Sequence, residues 1–204
     1  GAHIVLEPAA RNTAPAIALA ASFCETKLGC SADEVVVVAA ADHVIRPIDV
    51  FERCILQAEK VAQGDCLVTF GIPAKQPETG YGYIQTGQAQ DDGCACRIAR
   101  FVEKPDLATA QSYLDAGSYL WNSGLFMMRA SVWLSAMGIC RPDILKACQT
   151  AWAQGSVDGV FLRVDKDAFA QCPSDSIDYA VMERIATGEV ELPEGMVVPL
   201  SAGW

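Results

Sequence analysis

The chain has 204 residues, of which 51% are hydrophobic, so it is long enough and apolar enough to fold around a substantial core. Its 25 acidic and 15 basic residues give a net charge of −10, and the basic residues form no run. This pattern argues against a broad nucleic-acid-binding or anionic-membrane surface, and no apolar stretch approaches the roughly 20 residues of a membrane helix.

The cysteines indicate the redox environment. Nine are scattered along the sequence, mostly in apolar surroundings, and the number is odd. Cys94 and Cys96 have no second Cys or His pair at zinc spacing. Reduced thiols are therefore the better interpretation, and the first residues also lack the pattern of a signal peptide, so we expect a cytoplasmic protein.

The first third of the chain predicts alternating strands and helices. Ile4–Leu6 reads as a short strand, residues 13–28 as an alanine-rich helix, and residues 34–41 as the continuous apolar run of a buried strand. A helix over 47–64 and a strand over 66–72 follow. Strands joined by helical crossovers predict a parallel core.

The middle of the chain predicts an antiparallel insertion, because glycines and tyrosines over 78–87 precede a polar turn at 88–93 and a strand over 96–104. Later residues predict helices over 107–116 (capped by Asp106), 130–137, 142–152 and 177–186, and strands over 124–129 and 196–200. Together these elements predict an α/β fold of Rossmann-like type: a mixed, mostly parallel sheet covered by helices, with an antiparallel insertion.

Two short segments place charged and amide groups where a fold alone does not need them: F-V-E-K-P at 101–105 and W-N-S-G at 121–124. Since proline supplies no ladder donor, Glu103 and Lys104 should lie at an edge or mouth of the sheet, where open α/β sheets bind ligands. The Lys104 ammonium suits a phosphate, while Glu103 and Asn122 can share the hydroxyls of a sugar. The two segments suggest a phosphosugar site.

A second candidate site precedes the first helix. Asn12 or Thr13 is predicted to cap that helix, with Arg11 just outside it. Free backbone donors and a guanidinium converge there, which suits a base or ribose. An ordinary capped helix with a solvated arginine is the alternative interpretation, and the spacing alone favours it.

A third candidate is Asp42, at the carboxyl end of the buried strand. A carboxylate in that position would meet a Mg²⁺ that carries phosphates. The alternative is an aspartate that caps a helix or a turn. His43 is interpreted as a residue that packs in the fold or supports a neighbouring ligand-binding side chain.

The segment 78–83 lacks the spacing of a phosphate-binding loop. Its glycines would instead let the backbone approach a ligand, with Glu78 and Thr79 as hydroxyl partners. A plain β-turn would use the same residues.

The last candidates lie on the predicted helix 177–186. Asp178 and Glu183 are five residues apart, so on an α-helix they should point in different directions. Asp178, near the amino end, could face a ligand or only complement the helix dipole.

With these motifs in view, the chain resembles the mannose-1-phosphate guanylyltransferases, or GDP-mannose pyrophosphorylases, of the long bacterial type that often carries a phosphomannose isomerase module. The similarity covers nearly the whole chain. Its carriers are E-P at 7–8 with R-N-T-A-P-A at 11–16, A-D-H at 41–43, P-E-T-G-Y-G-Y-I at 77–84, F-V-E-K-P at 101–105, W-N-S-G at 121–124 and S-I-D-Y-A-V-M-E at 176–183. Each is a weak signal alone, and all of them in family order are a strong one.

The resemblance implies formation of GDP-mannose and pyrophosphate from GTP and α-mannose 1-phosphate, by direct Mg²⁺-assisted attack of the sugar phosphate on the α-phosphorus. It implies nucleotide-binding roles for Glu7, Arg11, Asn12 and Thr13, a metal-binding and catalytic role for Asp42, sugar-phosphate-binding roles for Glu78, Thr79, Gly80, Tyr81, Glu103, Lys104, Asn122 and Asp178, and a catalytic role for Lys104 as well. It implies no nucleic-acid or membrane partner and leaves a homo-oligomer open.

Two family features do not occur in the sequence: the glycine-rich triphosphate loop and the second metal-binding Asp, which follows a Gly-Trp pair. We therefore expect residues 1–204 to be a nucleotidyltransferase domain truncated at both ends, which keeps the sugar pocket and turns over negligibly alone. A sugar-1-phosphate uridylyl- or thymidylyltransferase would share its fold and mechanism. A catalytically silent regulatory domain that binds nucleotide sugars is the alternative from another class.

Overall fold

The computed structural model describes residues 2–31, 33–90, 93–188, 191–201 and 203. The strands are β1 Ile4–Leu6, β2 Val35–Val38, β3 Cys66–Pro73, β4 Tyr83–Ala89, β5 Cys96–Val102, β6 Tyr119–Arg129, β7 Ser156–Asp158, β8 Phe161–Arg163 and β9 Glu194–Pro199. The helices are α1 Thr13–Thr26, α2 Ile48–Ala62, α3 Leu107–Ala116, α4 Ala130–Cys140, α5 Pro142–Ala153, α6 Lys166–Ala170 and α7 Glu183–Ile185, the last preceded by a π-helical turn over Asp178–Met182. No helix in these ranges is long and apolar enough to cross a membrane.

The larger sheet is mixed, with strand order β2-β6-β3-β9-β5-β4. Strand β3 pairs in parallel with β9, whereas β6 runs antiparallel between β2 and β3. The predicted α/β class and mixed sheet are confirmed, as is the antiparallel pairing of β4 with β5. The expected mostly parallel pairing is wrong, because β6 inserts between two strands that do run in the same direction.

Strand β1 does not belong to that sheet. It pairs in parallel with β8, and β8 pairs antiparallel with β7, in a separate sheet of three short strands. Sequence reasoning missed β7 and β8 because three residues are too few to show a period of two.

Helices cover both faces of the larger sheet. On one face α1, α4 and α5 bury a cluster that includes Trp133 and Met137. On the other, residues of α2 and α3 pack with Val68 and Phe70 of the central strand β3. Strand β3 is thus buried on both sides, which explains its nearly continuous apolar sequence.

Strand β6 begins before the predicted strand 124–129, so the whole W-N-S-G segment lies within it. The Asn122 backbone N–H donates to the Gly82 carbonyl at 2.8 Å. Gly124 has a φ of +74°, and the register between β3 and β6 shifts between Thr69 and Gly71. Asn122 thus lies in an interior strand of the sheet, next to a local irregularity of its pairing.

Candidate active site

Asn122 is held by a buried chain of hydrogen bonds. Its residue surface is only 8% exposed. The hydroxyl of Thr69, on the neighbouring strand β3, donates to the Asn122 side-chain oxygen at 2.8 Å and lies 3.0 Å from the Leu125 carbonyl. The Asn122 amide nitrogen donates to Asp178 Oδ1 at 2.8 Å. The amide is therefore fixed from both ends, which joins the central sheet to the π-helical turn.

Glu103 and Lys104 follow the end of strand β5, as predicted for the mouth of the sheet. The Glu103 side chain is only 9% exposed, whereas that of Lys104 is 56% exposed, and Lys104 Nζ lies 3.3 Å from Glu103 Oε1. Lys104 has a φ of +48°, which is uncommon for a residue with a side chain, and its backbone N–H donates to the Tyr81 carbonyl at 3.2 Å. This turn places a buried carboxylate beside an accessible ammonium.

The carboxylates in this site influence each other. Burial raises the pKa of Glu103, and the negative charge of Asp178 raises it further, while Lys104 lowers it by a hydrogen bond and by its charge. Burial likewise raises the pKa of Asp178, against the lowering effect of its hydrogen bonds, including the one from Asn122. The arrangement offers hydrogen-bond acceptors for hydroxyl groups and an ammonium for an anion.

Gly82 lies against Glu103 and Asn122. A Cβ added there would lie 2.5 Å from Glu103 Oε2 and 3.2 Å from the Cβ of Asn122. Gly80, in contrast, has open space around it. The close backbone approach expected of the 78–83 segment is therefore made at Gly82, toward the Glu103 carboxylate.

The rest of that segment borders the same cluster. The Tyr81 ring packs edge-on against Trp121 with 5.4 Å between centroids. Glu78 accepts a hydrogen bond from the Gln76 side chain, and Thr79 is exposed. Because Tyr81 also binds Lys104 through its carbonyl, the segment runs beside the Glu103–Lys104 turn.

The loop before α1 forms a second group. Asn12 caps the helix by accepting from the Thr13 N–H at 2.8 Å. Arg11 is half-buried and donates to the Ala170 carbonyl at 2.8 Å, so it is not simply a solvated side chain. Partial burial raises the pKa of Glu7. The Ile177 N–H donates to Thr13 Oγ1 at 2.9 Å, and this bond connects the loop to the residue just before Asp178.

Asp42 is exposed and follows strand β2. Its neighbour His43 lies beside strand β6, with Cε1 3.9 Å from the position of a Cβ on Gly124. Within the described ranges no group of three or more His, Cys, Asp or Glu side chains could hold a metal ion. Asp42 is thus a single exposed carboxylate, and Mg²⁺ is commonly bound through one or two carboxylates together with substrate phosphates.

A cavity of about 240 Å³ lies beside the start of α1. Its walls come from α1, the residues at the end of β2 and the irregular part of β6, including Thr13, Ile17, Val38, Ala40, Gly124 and Ile177. Of the predicted site residues Thr13 lines it, and Gly124 belongs to the W-N-S-G segment.

Sequence reasoning missed Thr69, did not single out Gly82 within segment 78–83, and assigned Glu183 no role in the site. Thr69 is the only hydroxyl residue in the apolar strand β3, a signal that could have marked it. Glu183 was expected to point away from Asp178, and this is wrong: its carboxylate accepts a hydrogen bond from the Glu103 backbone N–H at 3.1 Å. The reason is the π-helical turn, which the sequence pattern did not reveal.

The sequence is similar to those of curated proteins. The chain is 50% identical to a mannose-1-phosphate guanylyltransferase of Salmonella montevideo over 98% of the chain and 41% of that protein. It is 51% identical to the xanthan biosynthesis protein XanB of Xanthomonas campestris over 98% of the chain and 40% of the relative. The chain thus spans about two fifths of the length of the curated relatives it matches.

Two solved structures have the same fold. One, from Helicobacter pylori and described as a mannose-6-phosphate isomerase, has a TM-score of 0.82 at 30% identity, over 98% of this chain and 72% of that one. Another, from Thermus thermophilus and described as a mannose-1-phosphate geranyltransferase, has a TM-score of 0.81 at 29% identity, over 98% and 53%. The family model described as nucleotidyl transferase matches residues 2–190, and the chain belongs to that family.

Proposed function

We propose that residues 1–204 form a nucleotidyltransferase domain of a mannose-1-phosphate guanylyltransferase, which makes GDP-mannose and pyrophosphate from GTP and α-mannose 1-phosphate. The carrying observation is the cluster of Glu103, Lys104, Asn122 and Asp178, which sets an accessible ammonium beside buried acceptors. Relatives at about half identity bear the corresponding name. The free state of all the cysteines is consistent with the predicted cytoplasmic location.

The sugar-phosphate site would divide its tasks between charged and neutral groups. Lys104 Nζ would bind the phosphate of mannose 1-phosphate as a point charge. Glu103, Asn122 and Asp178 would take the sugar hydroxyls, since Asn122 is hydrogen-bonded to Asp178 and the charge of Asp178 acts on Glu103. Glu78, Thr79, Gly80 and Tyr81 would form the facing wall.

The nucleotide would bind at the loop before α1. Glu7, Arg11, Asn12 and Thr13 would contact guanine and ribose there, next to the cavity that reaches toward Gly124. Asp42 would hold Mg²⁺ together with the nucleotide phosphates, and the ion, when bound, would neutralise charge that develops on them.

The chemistry requires no enzyme nucleophile, because the phosphate oxygen of the sugar can attack the α-phosphorus directly. The contribution of these residues would be to hold the two substrates in line and to offset their negative charge. Local cations are essential for this, since the chain as a whole carries a net charge of −10.

The test is pyrophosphate release by the full natural protein, with Mg²⁺, mannose 1-phosphate and each of GTP, ATP, UTP and dTTP in turn. We expect a signal selective for GTP, and negligible release by residues 1–204 alone. Selectivity for UTP or dTTP would instead identify a related sugar-1-phosphate uridylyl- or thymidylyltransferase. No release with any nucleotide, together with retained binding of nucleotide sugars, would identify a silent regulatory domain.

A further inference from the structure

Glu183 contacts the backbone of the Glu103–Lys104 turn in the proposed sugar-phosphate cluster, which consists of Glu103, Lys104, Asn122 and Asp178. It is half-buried, and its Oε1 accepts the Glu103 backbone N–H at 3.1 Å. It makes this contact across 80 residues of sequence, so the bond joins the end of strand β5 to the start of α7. None of the roles proposed above includes Glu183.

The π-helical turn is what makes this contact compatible with the one made by Asp178. The Glu183 backbone N–H donates to the Asp178 carbonyl, five residues back rather than four. On an α-helix, residues five apart are separated by about 140° around the axis, so only one of the two carboxylates could face the cluster. A wider turn brings the fifth residue back toward the same side, and such turns are frequent at functional sites.

The Glu103–Lys104 turn needs support because it is conformationally unfavourable. Lys104 has a φ of +48°, a region that costs free energy for a residue with a Cβ. Two hydrogen bonds from its own backbone segment oppose that cost: the Lys104 N–H to Tyr81, and the Glu103 N–H to Glu183. Only the second depends on a side chain, so only the second can be removed by substitution.

Glu183 also carries an electrostatic penalty in this position. Its charge raises the pKa of Glu103, so the two carboxylates repel each other. A residue that only completed a helix would not require a charged group there. The hydrogen bond that Glu183 accepts from the Glu103 backbone compensates for the repulsion.

We infer that Glu183 is a positioning residue for the sugar-phosphate site, which fixes the Glu103–Lys104 turn so that the Lys104 ammonium stays directed at the phosphate. This inference rests on the proposed function. It assigns Glu183 an action on the sugar phosphate alone, through the backbone of Glu103 and without contact to either substrate.

The test compares Glu183→Ala, Glu183→Gln and a control, Glu59→Ala, on the exposed face of α2, all in the full natural protein. Loss of a charge-assisted hydrogen bond should raise KM for mannose 1-phosphate about tenfold or more in Glu183→Ala, with KM for GTP changed less than about twofold. Glu183→Gln retains an acceptor oxygen and should stay within about threefold of the parent for both substrates. Glu59→Ala should match the parent.

A second readout separates this inference from the proposed function. Hydrogen exchange of the Glu103 amide should accelerate in Glu183→Ala and not in Glu59→Ala, whatever the substrate is. An unchanged KM and unchanged exchange would overturn the inference in an active enzyme. Equal losses with both substrates, accompanied by a lower melting temperature, would also overturn it, since they indicate a purely structural role. An inactive parent protein would refute the proposed function, and the exchange rate would then decide whether Glu183 holds the turn.

Discussion

Gly82 is closely packed against the Glu103 carboxylate of the candidate site. An added Cβ would come within 2.5 Å of Glu103 Oε2, while the backbone φ of Gly82 lies outside the left-handed region. The clash is with the movable end of a side chain, so Gly82→Ala should fold and displace the Glu103 carboxylate. We predict that binding of mannose 1-phosphate weakens about tenfold, the scale of one hydrogen bond to a charged group, measured by calorimetric titration.

The matched control is Gly138→Ala in helix α4, where an added Cβ would make an ordinary 3.6 Å contact with Leu145. It should leave binding unchanged and stabilise the helix by about 0.5–1 kcal/mol, because alanine has the higher helix propensity. If Gly82→Ala binds mannose 1-phosphate as well as this control does, the Glu103 carboxylate does not contact the sugar.

Asp178 is predicted to reduce stability at neutral pH. Because burial raises its pKa, the folded protein retains the proton to a higher pH than the unfolded chain does. Folding stability attributable to Asp178 therefore falls as the pH rises from about 4 through the raised pKa, and the loss is complete above it. Asp178→Asn keeps an acceptor for Asn122 without the charge.

We expect Asp178→Asn to raise the melting temperature at pH 7.5 by about 2–4 °C, which corresponds to about 1 kcal/mol for a chain of this size. The gain should disappear near pH 3.5, because the protonated Asp178 side chain of the parent is then neutral, like the asparagine side chain of the variant. A control, Asp115→Asn on the exposed surface of α3, should show no gain. A lower melting temperature of Asp178→Asn at pH 7.5 would show that its hydrogen bonds outweigh the cost of burial.

At the scale of elements, the π-helical turn determines which side chains reach the site. Deleting Tyr179, which is 48% exposed, shortens the spacing from Asp178 to Glu183 to four residues. An ordinary α-helix places residues four apart on one face. The deletion should therefore keep both contacts and retain pyrophosphate release within about tenfold of the parent, an allowance of about 1.4 kcal/mol.

Lengthening the spacing between Asp178 and Glu183 should reduce pyrophosphate release more than shortening it. One alanine inserted after Tyr179 makes the spacing six residues, which turns the two carboxylates about 120° apart on an α-helix. We expect a loss of about a hundredfold or more, the effect of misplacing groups that orient a substrate. Equal losses from deletion and insertion would show that packing of the helix, rather than the shared face, is what the π turn preserves.

The elements also show where sequence patterns are informative. Helix α2 was predicted nearly to the residue, because apolar positions repeat every 3.6 residues before Gly64 and pack on β3. The position of β6 in the sheet was not predictable, since pairing depends on contacts distant in sequence. The predicted strand began only at Gly124, whereas β6 begins at Tyr119 and contains Gly124 with a positive φ.

At the scale of the whole molecule, segments distant in sequence come together. Sequence reasoning named Thr13 and Gly124 but could not show that the start of α1, the end of β2 and β6 line a common cavity. Thr69 is marked as the one hydroxyl residue of an apolar strand, but the strand alone could not show that this hydroxyl binds Asn122. Candidate residues could be named from their types, whereas the side chains that hold them required the fold.

The proposed reaction can be divided into two functions that use different residues. The proposed sugar-phosphate cluster involves the end of β5, Asn122 of β6 and the start of the π turn, whereas Asp42 follows β2 beside His43, whose ring approaches Gly124. Lys104 supplies a cation within the proposed cluster. Binding of mannose 1-phosphate should therefore not require the metal, while the attack on the nucleotide should.

We accordingly predict that chelation of divalent cations, or Asp42→Asn, lowers pyrophosphate release about a hundredfold or more, because the nucleotide phosphates lose their neutralising ion. Calorimetric affinity for mannose 1-phosphate should change less than about twofold, since the Lys104 contact is preserved. Added Mg²⁺ should restore turnover in the parent but not in Asp42→Asn. Loss of mannose 1-phosphate binding on chelation would place the metal among the sugar-phosphate ligands, and would make Lys104 insufficient as the cation of that site.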